Sequence, residues 1–178
     1  NPSGKLADTW AYKYEDYPSS EKFSHNNGNV ETELYDEGIY VGYRYFDTFE
    51  VPVRYGFGYG LSYTDFEITG CALKAVSAEK IRVTATVRNT GNVSGKEVVQ
   101  VYASLPGGIL EKEAHRLAAY AKTNELKPGE AQEVTMEVKM DGLTSYDEKR
   151  AAWILESGFY GIWVGNSLAS AKLCGGIK

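Results

Sequence analysis

Neighbouring carboxylates are the first candidates for chemistry in this sequence. Hydrolysis of a glycosidic bond needs two carboxyl groups that flank the bond. The first 47 residues hold several acidic side chains that could form such a pair: Asp8, Glu15-Asp16, Asp36-Glu37 and Asp47. Adjacent side chains point in different directions, however, and a chain with 24 acidic residues produces such pairs by chance. We therefore expect no complete catalytic dyad and assign no catalytic residue.

Histidines and cysteines are too scattered for a metal site. His25 and His115 lie ninety residues apart, and Cys71 and Cys174 form no CxxC or related spacing. We expect no bound metal and no cofactor. The two cysteines fall in the first and last strands of the β-sandwich predicted below, and such strands can be neighbours. A disulfide between them is left open, because one pair does not establish an oxidising compartment.

Three short motifs resemble functional signatures only in part. Gly56–Gly60 alternates glycine with aromatic residues but lacks the GxGxxG spacing of a phosphate-binding loop. Gly60-Leu61-Ser62-Tyr63-Thr64 begins like a nucleophile elbow but has Thr where Gly is required. Both predict a tight backbone path with packed rings instead. Asn92-Val93-Ser94 is a glycosylation sequon, which is weak evidence in one short chain.

Composition divides the chain into two unequal parts. The net charge of −5 argues against nucleic-acid binding, and no apolar run is long enough to span a membrane. Residues 1–63 hold fifteen of the 23 aromatic side chains, with ten acidic and five basic residues. Residues 64–178 carry equal numbers of both charges. We place a domain boundary at Tyr63-Thr64 and expect the two parts to abut, because no flexible linker separates them.

Residues 64–178 have the pattern of an antiparallel β-sandwich. Apolar residues alternate in Ile81–Val87 and again in Val134–Met140, which is the period of half-buried strands. Turn sequences such as Leu126-Lys127-Pro128-Gly129-Glu130 separate the short strands. Further strands are predicted at 66–73, 98–102 and 159–164. Residues 110–122 favour a helix by propensity, whereas a sandwich would place an edge strand over Leu117–Lys122; this choice is left open.

Residues 1–63 have little regular pattern and would not form an independent core. Their Tyr and Trp side chains are dense enough to suggest either a sugar-binding surface or a packing interface. We favour the interface. The chain also starts at Asn1-Pro2 without an initiator Met or a leader, so either something was removed or the chain is a piece of something longer.

Four stretches, taken in order, form a set more specific than any one of them. They are Asn1–Leu6 (NPSGKL) with Thr9; Glu37–Asp47 (EGIYVGYRYFD) with Tyr55–Thr64 (YGFGYGLSYT); Val87–Gly91 (VRNTG) with Gly95–Tyr102 (GKEVVQVY); and Leu126–Glu130 (LKPGE) with Trp153 and Gly158–Ser167 (GFYGIWVGNS). The set resembles the C-terminal part of the family 3 glycoside hydrolases, the β-glucosidase and β-xylosidase type. Ala119-Tyr120 departs from the family's usual Gly-Phe pair. The stretch around Trp10 is closer to members in which the barrel domain follows the sandwich, so the domain order is left open.

The resemblance implies a mainly β fold and an accessory role. Residues 1–63 would be an irregular C-terminal remnant of the family's α/β sandwich domain, and residues 64–178 its fibronectin type III-like β-sandwich. The family's nucleophile lies on the barrel and its acid/base commonly on the α/β domain, and neither motif occurs in this chain. We therefore expect a non-catalytic fragment that buttresses the catalytic domains of an enzyme hydrolysing terminal β-linked glycosyl residues; the fragment alone would be inactive.

Other expectations stay open alongside this one. An autonomous carbohydrate-binding module that uses surface Tyr and Trp is the alternative function. The implied partners are the remaining catalytic domains, an oligosaccharide or β-glucoside in the intact enzyme, and possible copies of the chain itself through self-association, with no nucleic acid and no membrane. Whether residues 35–57 line the sugar pocket is undecided, as is the sugar specificity. The compartment is unknown, with a bacterial-type cytoplasmic location favoured over secretion.

Overall fold

The computed structural model describes all 178 residues, and short β-strands dominate it. The strands are β1 (Trp10–Ala11), β2 (Val53–Tyr55), β3 (Phe66–Ser77), β4 (Lys80–Asn89), β5 (Val98–Ser104), β6 (Arg116–Lys122), β7 (Ala131–Lys139), β8 (Ser145–Asp147), β9 (Ala152–Ile154), β10 (Tyr160–Gly165) and β11 (Lys172–Ile177). The one α-helix is α1 (Tyr43–Thr48), and 3₁₀ turns occur at Tyr14–Asp16, Phe23–His25 and Met140–Leu143. No helix is long and apolar enough to cross a bilayer.

Two antiparallel sheets form the sandwich predicted for residues 64–178. One sheet has the order β11-β10-β5-β6 and the other has the order β3-β4-β7, while β8 and β9 form a separate hairpin. Strand β4 alternates buried and less buried residues along its length, as its sequence predicts. It pairs with β7 in continuous register from Lys80↔Lys139 to Arg88↔Ala131. The mainly β, fibronectin type III-like fold class is therefore confirmed.

The core lies between these two sheets. Fifteen buried apolar residues form one cluster that draws on β4, β5, β7 and β10. Val83 and Val87 from one sheet and Val101 and Ile162 from the other have no exposed surface. Burying each such side chain is worth roughly 1.5–3 kcal/mol. The core of the sandwich therefore forms without residues 1–63.

The segment with helical propensity is a strand at its C-terminal end. Arg116–Lys122 forms β6, which pairs with β5 from Ala103↔Arg116 to Val98↔Lys122. Residues 110–115 precede it without a helix or strand. Pairing with the preceding strand thus overrides the local preference of an alanine-rich sequence for a helix.

A disulfide joins the two sheets at one edge. Cys71 on β3 and Cys174 on β11 are bonded, with their Cα atoms 5.8 Å apart. Both strands lie at the ends of their sheets, so the bond spans the sandwich edge. The expectation that the first and last strands can be neighbours is met, and the pairing left open by the sequence is a bond in the structure.

Candidate docking surface

Helix α1 attaches residues 1–63 to the sandwich. The Tyr43 hydroxyl accepts a hydrogen bond from the Leu117 backbone N–H at 2.9 Å, and Thr48 Oγ1 accepts one from Ala114 N–H at 2.9 Å. Asp47 Oδ2 lies 2.9 Å from His115 Nδ1. These contacts cover the chain just before β6 and its first residues, so the helix is fixed by satisfying backbone groups of an edge strand. We call residues 1–63 the docked segment.

A buried carboxylate lies at this junction. The Glu113 side chain has no exposed surface, yet it ionises beside two guanidinium groups. Arg116 donates to it at 2.7 and 3.1 Å, and Arg44 from α1 lies 3.4 Å away. Burial by itself raises the pKa of Glu113, but hydrogen bonds and the charges of Arg116 and Arg44 outweigh burial and leave the pKa lowered. The carboxylate is therefore charged and links the docked segment to β6.

A second polar network holds the start of the docked segment. Lys5 Nζ lies 2.8 Å from the buried Glu97 carboxylate, and Asn166 Nδ2 donates to the same group at 2.9 Å. Nearby, the Tyr102 hydroxyl donates to Gln100 Oε1, while Gln100 Nε2 donates to the Asn166 carbonyl at 3.1 Å. Burial raises the pKa of Tyr102, so its hydroxyl stays protonated. The outer face of the four-stranded sheet is thus polar where the docked segment covers it.

The Gly–aromatic stretch follows a tight path over this network. Gly58 has a φ of +80°, and a Cβ there would lie 2.6 Å from Gln100 Oε1. The ring of Phe57 packs on Tyr43 at 4.5 Å and on Tyr102 at 6.5 Å. The stretch is therefore a packing element in which glycine is required for close approach. Ser62, the candidate nucleophile, is an exposed residue that donates to Asn1 Oδ1 at 3.2 Å.

Other candidates from the sequence have separate partners instead of a shared site. Asp8 accepts from Thr9 N–H, Asp16 accepts from Lys13 N–H, Asp36 pairs with Lys22, and Asp47 pairs with His115. No group of three or more His, Cys, Asp or Glu side chains could hold a metal ion. These contacts do not test whether the chain carries a catalytic residue, so the absence of one stays a prediction.

Part of the exposed surface of the docked segment consists of aromatic rings. Trp10 on β1 faces Tyr55 on β2 with ring centroids 5.9 Å apart, and Tyr55 stacks on Tyr59 at 4.9 Å. Trp10 is 53% exposed and Tyr59 is 41% exposed. We call these three rings the aromatic strip. Tyr12, Tyr14 and Tyr63 are exposed as well. A contiguous apolar surface of this kind is typical of an interface.

The sequence did not reveal which polar residues carry the junction. Glu113 and Glu97 are two of 24 acidic residues, and nothing in their spacing distinguishes them from exposed ones. Glu97 lies within the Gly95–Tyr102 stretch described above. A charged residue next to a run of β-branched residues is the sequence signal that could have marked it. For Glu113 we find no local signal.

Comparisons with known proteins agree with this architecture. Residues 97–168 match the family model of the fibronectin type III-like domain. β-Glucosidase A of Butyrivibrio fibrisolvens is 45% identical over 97% of this chain, which covers 23% of that protein. β-Glucosidase 3B of Thermotoga neapolitana superposes with a TM-score of 0.91 at 42% identity, over 99% of this chain and 24% of the other. The GH3 β-glucosidase of Bifidobacterium adolescentis gives 0.89 at 36% identity, over 99% and 25%.

The fold and the docked segment define a fibronectin type III-like domain with an N-terminal segment docked on it. Over 97–99% of its length the chain matches the C-terminal part of family 3 glycoside hydrolases, the part that ends in this domain. It spans about a quarter of the length of the relatives compared above.

Proposed function

We propose that the chain supports the catalytic domains of a β-glucosidase-type enzyme without contributing a catalytic residue. In this proposal, residues 64–178 form the sandwich domain and residues 1–63 are the end of the neighbouring α/β domain. The sandwich holds the docked segment in one geometry through Glu113 and Glu97. The docked segment then offers its outer side to the rest of the enzyme.

One observation carries this proposal: the aromatic rings of the docked segment have two different environments. Tyr43, Phe46 and Phe57 pack inward, against the sandwich or within the segment. Trp10 and Tyr59 remain exposed. An exposed aromatic surface on a rigid element is stabilised when a partner surface covers it. The matching relatives are about four times longer, so such a surface has a source within the same kind of enzyme.

A chimera tests the proposal directly. The matching segment of Butyrivibrio fibrisolvens β-glucosidase A is replaced by this chain, and hydrolysis of an aryl β-glucoside is measured. We expect the chimera to be active and the same enzyme without the segment to be inactive or unfolded. In the chimera, Trp10→Ser with Tyr59→Ser should lower thermal stability and activity. The matched control, Tyr120→Ser on β6, should change neither by a comparable amount.

The isolated chain provides the opposite test. We expect it to show no hydrolysis of an aryl β-glucoside. Activity that scales with the purified concentration of the 178-residue chain would contradict the accessory role, because catalytic groups would then lie within it.

A carbohydrate-binding role is the second candidate, and one surface feature favours it. Tyr146 on β8 and Trp153 on β9 form an edge-on ring pair at 5.3 Å on the separate hairpin, and Trp153 is 69% exposed. Trp163 is less exposed and donates to Ser104 Oγ at 3.1 Å. Titration of β-glucans against the fluorescence of Trp153 and Trp163, in a variant that lacks Trp10, separates the two roles. No saturable change would exclude the binding module.

Binding of an oligosaccharide or β-glucoside by the intact enzyme belongs to the same proposal, with the pocket on the catalytic domains. Self-association is proposed only through the exposed aromatic strip. Sedimentation compares the isolated chain, in which the strip is exposed, with the chimera, in which it is covered. The isolated chain should therefore associate more strongly.

A further inference from the structure

Residues 17–41 form a long excursion from the docked segment, and we call them the arm. One 3₁₀ turn, Phe23–His25, is the only helix or strand within it. Ser20 is its only buried residue. Ordered stretches longer than about 12–15 residues without secondary structure are uncommon in compact domains and are usually functional. We therefore expect the arm to have a function, and its contacts indicate which one.

The base of the arm is fixed to the docked segment. The Tyr17 ring packs on Phe46 of α1 at 5.5 Å, and its hydroxyl donates to the Thr9 carbonyl at 3.1 Å. At the other end, the Tyr40 ring packs on Phe49 at 4.9 Å. The two ends of the arm thus pack on α1 and on the residue that directly follows it, and α1 is the helix that contacts the sandwich.

Hydrogen bonds within the arm give it a defined shape. Asn26 Nδ2 donates to the Ser20 carbonyl at 2.9 Å, and His25 Nδ1 lies 2.8 Å from the Asn29 carbonyl. Ser24 N–H donates to Glu33 Oε1 at 3.0 Å, and Lys22 pairs with Asp36 across the base. These contacts order the backbone without burying apolar surface. A segment ordered before binding loses less conformational entropy when a partner covers it.

The arm presents apolar side chains among negative charges. Its exposed large apolar residues are Phe23, Val30, Leu34, Tyr35 and Val41, of which Tyr35 is 83% exposed. Its charged residues are Glu21, Lys22, Glu31, Glu33, Asp36 and Glu37, a net of −4 with histidine neutral. Glu21, Glu31 and Glu37 make no ion pair. The surface that fits the arm is therefore apolar in its centre and carries Lys or Arg at its rim.

We propose that the arm is a docking element for the catalytic part of the same glycoside hydrolase, and that this part offers an apolar surface edged by basic residues. The inference rests on the proposed accessory function and adds the segment and the chemistry of the contact. A second copy of the chain is disfavoured as the occupant, since symmetric pairing would place two arms of net −4 against each other. The relatives' additional length supplies the alternative surface.

Hydroxyl-radical footprinting of the isolated chain and of the chimera tests the arm. Oxidation of Tyr35 in the chimera should fall about fivefold relative to the isolated chain, because a ring that is 83% exposed becomes mostly buried. Glu31→Lys with Glu37→Lys in the chimera should restore most of the labelling at Tyr35. The control, Glu67→Lys with Glu79→Lys on the exposed side of β3 and its turn, should leave it protected.

The outcomes separate this inference from the proposed function. An active chimera in which Tyr35 is labelled as in the isolated chain overturns the docking arm and leaves the accessory function standing. A folded but inactive chimera with Tyr35 protected supports the arm and contradicts the accessory function. Protection of Tyr35 in the isolated chain at high protein concentration, together with a sedimenting dimer, identifies a second copy as the occupant and overturns the proposal.

Discussion

Replacement of Glu113 by Gln should weaken both the sandwich and the docking of α1. The carboxylate has no exposed surface and receives two hydrogen bonds from Arg116, with Arg44 3.4 Å away. Removing one partner of a buried ion pair costs roughly 3–5 kcal/mol. Arg44 is 39% exposed and can be hydrated, and Arg116 keeps its bond to the Thr144 carbonyl at 2.6 Å. The isosteric Gln should therefore lie at the lower end, about 3 kcal/mol.

Urea denaturation at pH 7 measures this cost. With a slope of about 2 kcal/mol/M, a loss of about 3 kcal/mol moves the midpoint by about 1.5 M. Glu133→Gln, an exposed change of the same type on β7, should stay within about 0.5 kcal/mol of the wild type. A loss below about 1 kcal/mol for Glu113→Gln would refute the view that the buried carboxylate fixes the junction.

The stability difference between the wild type and Glu113→Gln should depend on pH. Because the pKa of Glu113 is lowered on folding, its contribution is complete above its ordinary value of 4.5. The contribution disappears as the pH falls through the lower pKa of the folded state. The difference in the free energy of unfolding between the wild type and Glu113→Gln should therefore shrink as the pH falls below 4.5. A gap that stays constant across this range would mean that the charge does not act.

Three further changes have defined expectations. Cys71→Ala with Cys174→Ala removes a bond between residues 103 positions apart, and the chain-entropy relation predicts a loss of about 4.7 kcal/mol in the free energy of unfolding. The slope of urea unfolding should increase, and reduction of the wild-type disulfide should reproduce the loss of stability. Gly58→Ala forces a Cβ against Gln100 at positive φ and should cost about 1–3 kcal/mol, whereas Gly4→Ala, in open space, should change the midpoint little. Asn89→Ala deletes bonds from Nδ2 to the Val93 and Leu126 carbonyls and should cost about 2–4 kcal/mol in thermal unfolding.

The sandwich could be predicted because its strands carry their signal locally. In Ile81–Val87 of β4 and Val134–Val138 of β7 the apolar residues are buried and the polar residues between them are more exposed, so the sequence itself has period two. Strand β6 lacks this signal. Its residues are all partly exposed or exposed, and only pairing with β5 makes it a strand. The choice between helix and strand therefore depends on the pairing with β5 and not on the sequence of the segment itself.

The candidate surface was predictable in kind but not in detail. An excess of Tyr and Trp in residues 1–63 indicated an interface, and the structure leaves many of these rings exposed. The division into an inward side and an outward side depends on where α1 contacts the sandwich. Contacts such as Tyr43 with Leu117 and Arg44 with Glu113 join residues about seventy positions apart. No local pattern encodes such separations.

The two ends of the docked segment meet at a single point. Asn1 Oδ1 accepts the Tyr63 N–H at 2.9 Å, and Asn1 Nδ2 donates to the Ser94 carbonyl at 3.0 Å. Residues 1 and 63 are therefore held together beside the loop that contains Ser94. The arm belongs to neither sheet of the sandwich, so a change in its length leaves the pairing of the sandwich strands unchanged. The arm can therefore differ in length between related enzymes while the sandwich keeps its fold.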